Sequence, residues 1–363
     1  MLKLMSHFFN KKLFFVCILA VTGSVGMMIY QNKIIHSQEA LPQFTHPSLY
    51  SESHIWGQPL KTLFPDLINP PYVDRETASF FLQPNDDVYY FQSKNNIYVF
   101  PAFVLGYHHI VNDTIDGQPL IITTCLLTNT PVIYKRKIND KTLSFGVLGN
   151  LYHGNLIMYD KETDSEWIQL TGEAISGHYS DSRLDMGPPI SQTKWKNIQD
   201  KKNILVLQPQ LDLDFYHSFF QKYTGRKTGL SLLQNVKIRN DIDSYTNGIG
   251  ITIHKTAKFY PLSQIQEKQV INDTIDGWHT VLIYNAANET THIYRRYIED
   301  KLLTFTLINN VLEDNETHSQ WSFEGRAISG ALKGESLEVP SSRMSYWFAW
   351  SSFYPNTTIW KNP

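Results

Sequence analysis

The stretch Asn112-Asp-Thr-Ile-Asp-Gly117 occurs a second time in the chain, as Asn272-Asp-Thr-Ile-Asp-Gly277. Each copy follows a branched apolar pair and precedes another apolar run. An Asp-Gly pair between apolar runs is typical of a β-hairpin, because the tight turn needs positive φ and glycine adopts it without steric cost. Both stretches therefore predict the turn of a hairpin.

The sequence around this stretch is repeated as well. Phe145 and Phe305 lie 160 positions apart, as the two copies of the stretch do, whereas Asp160 and Asp314 lie 154 apart. A last set of matches, near residue 174, lies 153 apart. The second copy thus lacks six residues and then one more. Collinear matches with two small gaps predict a duplicated domain rather than a solenoid of short repeats.

The composition favours strands. Aromatic residues make up 13% of the 363 residues and charged residues only 18%. We therefore expect a mainly β protein, α+β with few short helices, and the chain is long enough for two domains with their own cores. A formal net charge of -2 provides no basic field, so nucleic acid is not an expected partner.

The N-terminus predicts a membrane segment. Lys11 and Lys12 precede eighteen uncharged residues, Leu13–Tyr30. This run is close to the length of about 20 residues that spans a bilayer, and longer than the apolar core of a cleaved signal. We expect a single-pass protein of the cell membrane with the bulk of the chain extracytoplasmic. The alternative is a cleaved signal and a secreted or periplasmic protein.

The expected organisation follows from these signals. It comprises an anchor or signal over residues 1–30, a tether over 31–66, a first β-rich domain over 67–210, a partly helical bridge over 211–245, and a second, related β-rich domain over 246–363.

Several motifs of the chain resemble those of the DUF3179 family of exported prokaryotic proteins of undefined activity: His108–Asp113, Thr124–Thr130, Met158–Trp167 and Gly172–Gly177. The resemblance runs from about Asn69 to Trp360 and implies two divergent copies in tandem. The family often has Cys-Pro-Leu-Cys or Cys-Pro-Leu-Thr. Here Leu126 replaces the proline and Thr128 stands at the last position, which weakens a CxxC redox or metal interpretation.

Residues present in one copy only are candidates for a site, because shared residues are expected to build the scaffold. The first copy alone has His108, Cys125, Thr128 and Glu173, where the second has Lys268, Asn285, Asn288 and Arg326. A His beside a Cys could lower the pKa of the thiol and activate it as a nucleophile. Cys125, His108 and Met158 could instead bind a soft metal such as copper. A buried, inert Cys beside a hydrogen-bonded His is the third interpretation.

Carboxylates offer another hypothesis. Asp160, Glu162 and Glu173 could supply the acid and the base for hydrolysis of an envelope polysaccharide. Asp160 and Glu162 occur in both copies, however, and acidic residues in turns commonly bond their own backbone. The candidates for a ligand pocket in the first domain are His108, Asn112, Asp113, Cys125, Thr128 and Tyr159.

The expected function is a membrane-anchored extracytoplasmic module that binds a small molecule or an envelope partner, with any site in the first domain. The alternative is an envelope enzyme that depends on a thiol, a metal or carboxylates. GxGxxG, Walker, HExxH, CxxC and GxSxG motifs are absent from the sequence. The sequence therefore names no reaction, ligand or cofactor.

Overall fold

The structure, a computed structural model, describes residues 55–362 except 58, 62, 225–228, 234–237 and 299. The predicted anchor and most of the predicted tether lie outside the described residues. Within the described part of the chain, no helix is long and apolar enough to cross a membrane.

The N-terminal half, residues 55–210, contains sixteen short strands, two α-helices and a 3-10 helix at Trp195–Asn197. The helices are α1 (Arg75–Ala78) and α2 (Ala102–His108). The strands are β1 (Ile55–Trp56), β2 (Leu67–Ile68), β3 (Tyr72–Val73), β4 (Asp87–Gln92), β5 (Ile97–Pro101), β6 (Ile110–Ile115), β7 (Gln118–Cys125), β8 (Thr130–Lys135), β9 (Lys137–Ile138), β10 (Lys141–Thr142), β11 (Phe145–Tyr152), β12 (Asn155–Asp160), β13 (Glu166–Ile168), β14 (Ala174–Ser176), β15 (Ser191–Lys194) and β16 (Ile204–Leu207).

A helix, α3 (Leu213–Tyr223), and a 3-10 helix at Gly229–Leu232 connect this half to the C-terminal half, residues 246–362. Its helices are α4 (Leu262–Lys268) and α5 (Trp347–Phe353). Its strands are β17 (Asn247–Ile253), β18 (Thr256–Pro261), β19 (Val270–Ile275), β20 (Trp278–Asn285), β21 (Thr290–Arg295), β22 (Tyr297–Ile298), β23 (Lys301–Leu302), β24 (Phe305–Ile308), β25 (Val311–Asp314), β26 (Gln320–Trp321), β27 (Ala327–Ser329), β28 (Ser342–Tyr346) and β29 (Thr358–Ile359).

The fold is mainly β with few short helices, as the composition predicts. The N-terminal half has three larger sheets, with strand orders β1-β11-β12-β13-β14, β15-β4-β5-β16-β3 and β2-β6-β7-β8. The sheets of the C-terminal half are β24-β25-β26-β27, β28-β17-β18-β29 and β19-β20-β21. When β1, β2 and β3 are left out, the strand order within the three sheets of the N-terminal half matches that in the C-terminal half.

The repeated Asp-Gly pairs form the predicted hairpin turns. Asp116 and Gly117 have φ of 51° and 78° between β6 and β7, and Asp276 and Gly277 have 49° and 76° between β19 and β20. These positive values explain the sequence, because glycine and the short polar aspartate tolerate the left-handed region best.

The six residues that the second copy lacks form the end of the β11–β12 hairpin in the first copy. Phe145 pairs with Asp160 in β11–β12, and Phe305 pairs with Asp314 in β24–β25. The first hairpin continues to a turn near His153, whereas the second turns four residues after Phe305. The additional length pairs with β1, so part of the predicted tether packs on the N-terminal half.

Residues 65–73 give the N-terminal half two further strand pairings. β2 runs parallel to β6, with Leu67 opposite Val111 and Ile68 opposite Asn112. β3 then runs antiparallel to β16. Within the described part of the chain, the corresponding strands of the C-terminal half, β19 and β29, have no such partner.

The two halves meet through the same kind of contact made twice. The carbonyl of Thr128 accepts a hydrogen bond from the Tyr346 amide at 2.9 Å and from the Ser345 hydroxyl at 3.4 Å. The Thr193 hydroxyl donates in the opposite direction, to the carbonyl of Asn288. Thr128 and Asn288 are matching positions, 160 residues apart. A late strand of each half, β15 or β28, therefore contacts the other half.

Candidate functional site

His108, at the end of α2, has both ring nitrogens occupied. Nδ1 lies 2.6 Å from the carbonyl of Pro65 and Nε2 lies 2.6 Å from the hydroxyl of Tyr216. Because the carbonyl can only accept, Nδ1 carries the proton and Nε2 accepts from the hydroxyl. Burial lowers the pKa of His108, so the ring is neutral at pH 7. The side chain joins α2, the segment before β2 and α3.

Cys125, at the end of β7, is buried in the same apolar cluster as Met158. Burial raises the pKa of its thiol, which keeps the sulfur protonated and unreactive. Both ring nitrogens of His108 bond Pro65 and Tyr216, so neither nitrogen is available to Cys125 or Met158. Across the described residues, no group of three or more His, Cys, Asp or Glu side chains could hold a metal ion.

Asp160 binds its own turn. Its carboxylate accepts from the Thr163 amide at 2.6 Å and from the Trp167 indole at 3.0 Å. In the C-terminal half, Asp314 accepts in the same way from the amide of Thr317 and the indole of Trp321, at 2.6 Å and 2.9 Å. The same geometry in both halves indicates a structural role for this carboxylate.

The remaining predicted ligand residues lie in separate places. Asn112 bonds the backbone of Phe145 in both directions, at 2.8 Å and 2.7 Å. Asp113 accepts from the Tyr72 hydroxyl at 2.7 Å. Tyr159 is half-buried, and the ammonium of Lys61 lies 4.3 Å from its ring centroid. None of these contacts joins two of the predicted ligand residues.

Thr128 belongs to a buried polar network that is confined to the N-terminal half. Its hydroxyl accepts from the amide of Asn155 at 2.9 Å, and Asn155 also donates to Gln169 at 2.9 Å. All three side chains have no exposed area. Asn155 lies in the longer hairpin, and Phe323 stands at the position that matches Gln169. Since the network satisfies its own hydrogen bonds, it specifies the core and leaves no group for a ligand.

A cavity of about 280 Å³ lies between the halves. β8 contributes Val132 to its wall and β21 contributes Thr291 and His292. Arg343 from β28 and Met186 complete one side. The cavity is thus built from both halves, whereas the sequence places any site in the first alone.

Arg343 is the unusual residue of this cavity, with only 3% of its surface exposed. Its Nη1 donates to the Ser341 hydroxyl at 3.1 Å and its Nη2 to the sulfur of Met186 at 3.4 Å, whereas Nε has no hydrogen-bond partner. No carboxylate of the described residues lies within ion-pair distance of its guanidinium. A buried cation is ordinarily paired, because burial without a counter-charge costs several kcal/mol.

Arg343 stays charged despite its burial, because a guanidinium keeps its proton at any physiological pH. Burial by itself lowers its pKa, but Tyr134, Tyr354 and Glu173 outweigh burial and raise the pKa above its ordinary value. Glu173, one of the predicted site residues, lies 4.0 Å from Arg183, and both side chains are partly exposed. The phenol of Tyr134 donates to the carbonyls of Gln169 and Leu170, both at 2.9 Å. A permanent positive charge therefore borders the cavity.

The other polar groups of the cavity carry no opposing buried charge. Burial lowers the pKa of His292 to about 4, so its ring is neutral at pH 7. The buried hydroxyl of Thr291 has no partner among the described residues. Asp87 is neutralised by Lys194 at 2.8 Å, and Glu289 is exposed to solvent. The cavity offers one buried cation and one unpaired hydroxyl.

Sequence reasoning missed Arg343 for a simple reason. Its partner position in the N-terminal half is Ser191, and this match follows from the pairing of β28 with β17 and of β15 with β4. The residue types around these strands differ too much for the match to be found in the sequence. Glu166 was also missed, although Gln320 stands at its matching position and the comparison of the copies could have found it.

Comparison with known proteins gives one result. No curated protein and no solved structure matches the chain. One family model matches, described as "Protein of unknown function (DUF3179)", over residues 61–357. The single match runs through both halves and does not divide the chain into tandem copies. Because the match covers most of the chain, this protein belongs to the DUF3179 family.

Proposed function

We propose that this protein binds a small organic anion in the cavity between its two halves. The observation that carries the proposal is Arg343, a buried guanidinium on the cavity wall without a carboxylate partner among the described residues. A carboxylate or phosphate group of a ligand would provide the missing counter-charge. Guanidinium groups bind such groups through two parallel hydrogen bonds.

The size and lining of the cavity restrict the ligand. At about 280 Å³ the cavity is slightly smaller than most ligand pockets, which measure roughly 300–1,000 Å³. Val132, Ile133 and Met344 give it apolar walls, and Thr291 offers a hydroxyl. These walls favour a small molecule with one acidic group and a short apolar part.

A titration of the purified full-length protein tests the proposal. Small carboxylates and phosphate monoesters are added singly, and the melting temperature and the heat of binding are measured. We expect at least one of these compounds to bind, and Arg343→Met to weaken its binding by about tenfold or more, because the charged hydrogen bonds are lost. Arg343→Lys keeps the charge but loses the planar fork, so an intermediate loss is expected.

The control is Arg75→Met, since the side chain of Arg75 is exposed and does not line the cavity. It should leave binding unchanged. The unliganded Arg343→Met variant should be as stable as the parent or more so, because it removes an unpaired buried charge. Absence of binding for every compound, or equal binding by Arg343→Met, would overturn the proposal.

The alternative function, an envelope enzyme, has weaker support. Both nitrogens of His108 are occupied, the thiol of Cys125 is protonated by burial, and Asp160 caps its own turn. A soft-metal cofactor on Cys125, His108 and Met158 would require His108 to give up one of these hydrogen bonds. A binding role therefore stands ahead of a catalytic one.

We also propose that the two halves arose by duplication and that the protein is anchored in the cell membrane by residues 13–30 with the rest extracytoplasmic. The matching residues, the matching strand order and the doubled contact between the halves support the duplication. The uncharged run after Lys11 and Lys12 supports the anchor.

A further inference from the structure

The C-terminal half has a groove of about 460 Å³ where the N-terminal half has strands of its own. The groove is lined by Val270–Asp273 of β19 and by Ile359–Asn362 at the end of the chain, with Lys258 and Lys268 beside them. In the N-terminal half, the strands that match β19 and β29 are β6 and β16. They are paired with β2 and β3, which both come from the one segment 65–73.

The contacts of β2 show what this kind of edge binds. The amide of Asn69 donates to the carbonyl of Asn112 at 2.8 Å, which continues the parallel pairing of β2 with β6. The side chain of Asn112 donates to the carboxylate of Asp66 at 3.1 Å. Leu67 packs on the core while Ile68 is 54% exposed. Asp66 also pairs with Lys161 at 2.7 Å. An acidic residue beside a lysine, followed by an inward aliphatic residue, therefore fits this edge.

The groove keeps these features and adds positive charge. Asn272 bonds the backbone of Phe305 at 2.8 Å, as Asn112 bonds that of Phe145. Asn272 lies opposite Val281 in β20 as Asn112 lies opposite Ile121 in β7, and this equal register gives the two backbone carbonyls the same direction. Lys268 stands at the position of His108, whose ring donates to the carbonyl of Pro65. Lys361 adds a second ammonium, and neither lysine forms an ion pair within the described residues.

The floor of the groove is apolar and the third lysine is already occupied. Ile271 and Trp360 are largely buried beneath the groove. Lys258 pairs with Asp273, which also accepts from the hydroxyl of Tyr260 at 2.7 Å. The charges available to a partner are therefore those of Lys268 and Lys361.

We infer that the edge of β19 binds an extended peptide of another polypeptide, added as a parallel strand, with an acidic residue followed by an aliphatic one. Strand addition to an exposed edge is a general mode of peptide recognition, in which backbone hydrogen bonds give affinity and alternate side chains give specificity. The partner's acidic side chain would contact Lys268, and its aliphatic side chain would cover Ile271.

A synthetic peptide with the sequence of residues 64–71, Phe-Pro-Asp-Leu-Ile-Asn-Pro-Pro, is the probe. It carries a fluorescent label, and its anisotropy is measured against the full-length protein. The chain's own β2 is covalently tethered, so its high effective concentration keeps the probe away from β6. We expect saturable binding that Lys268→Glu weakens by about tenfold, because one attraction becomes a repulsion.

Two controls separate strand addition from simple charge attraction. Lys141→Glu makes the same charge change at an exposed residue of the N-terminal half and should leave binding unchanged. A peptide N-methylated at its asparagine cannot donate the hydrogen bond that Asn69 donates to Asn112, and it should bind at least about tenfold more weakly.

Three results of the peptide experiment would overturn the inference. They are no binding of the probe, equal binding of the N-methylated peptide, or equal binding by Lys268→Glu. Sedimentation of the protein alone could give a fourth such result. A self-association that Lys268→Glu abolishes would assign the edge to a second copy of this chain and overturn the assignment to another polypeptide.

Discussion

At the scale of single residues, burial decides which polar groups are available for chemistry. His108 and Cys125 are both buried, but the histidine has two hydrogen-bond partners and the thiol is held protonated. Arg343 is buried as well, and it keeps its charge beside a cavity without an acidic partner among the described residues. Residue type and partners both matter, because a guanidinium keeps its proton at neutral pH whereas burial holds an imidazole or a thiol in its neutral form.

Glu166, on β13, is the residue whose ionisation should be visible in the stability of the protein. It is 9% exposed, and its Oε2 has no hydrogen-bond partner among the described residues. Burial raises the pKa of its carboxyl from 4.5 to about 7, while Ser176 and Lys61 oppose that rise. The folded protein therefore binds this proton more tightly than the unfolded chain does.

The sign of the pH dependence follows from this difference. Between pH 4.5 and pH 7 the native state holds the proton and the unfolded state does not, so the free energy of unfolding falls as pH rises through this window and is level above it. The fall should be roughly 3 kcal/mol. Glu166→Gln, which copies Gln320 of the other half, should remove this fall and stabilise the protein at pH 8.

Urea unfolding at pH 5 and at pH 8 measures the effect. Glu335→Gln is the matched control, because Glu335 is exposed in the C-terminal half. A pH dependence that persists unchanged in Glu166→Gln would show that another group causes it.

At the scale of elements, the same turn and the same side-chain bonds recur, and the differences lie in what pairs with the edges. Asn112 and Asn272 both tie a hairpin strand to the backbone of a phenylalanine 33 residues later. Asn112 also bonds Asp66, on the segment that continues into β2. Asn112 is fully buried, whereas Asn272 is half-buried on a strand edge that no other described strand covers.

This pair of asparagines allows a matched prediction. Asn112→Ala should lower the free energy of unfolding by roughly 2–4 kcal/mol, because it leaves the buried amide and carbonyl of Phe145 without partners. Asn272→Ala should cost about half as much, since water can reach that site more easily. Chemical denaturation of the two variants compares them directly. Equal losses would show that β2 does not strengthen the first site.

At the scale of the whole molecule, the two halves form one unit around a shared cavity. The contacts of Thr128 and Asn288 with the opposite half place β8, β15, β21 and β28 around it. The family match, which runs through residues 61–357, agrees with a unit that includes both halves. A site at this junction can differ from either half alone, because each half provides different residues at matching positions.

The proposed anchor makes a prediction about the location of the whole molecule. The full-length protein should sediment with membranes, resist extraction by high salt and be released by detergent, because an apolar run of eighteen residues is buried in lipid. Replacement of Leu19 and Ile29 by arginine should reduce this retention. A soluble envelope protein whose N-terminus begins after residue 30 would instead indicate a cleaved signal.

The sequence by itself determined the hairpin turns, the β-rich composition, the repeated order and the family, because these depend on local backbone preferences and on residues in collinear positions. The tertiary structure alone decided that Arg343 borders a cavity, that His108 is fully bonded and that β19, among the described residues, lacks the strand that β6 has. Each of these depends on contacts between residues that lie far apart in the sequence. Local patterns do not report such contacts, since burial and pairing arise only when distant elements pack.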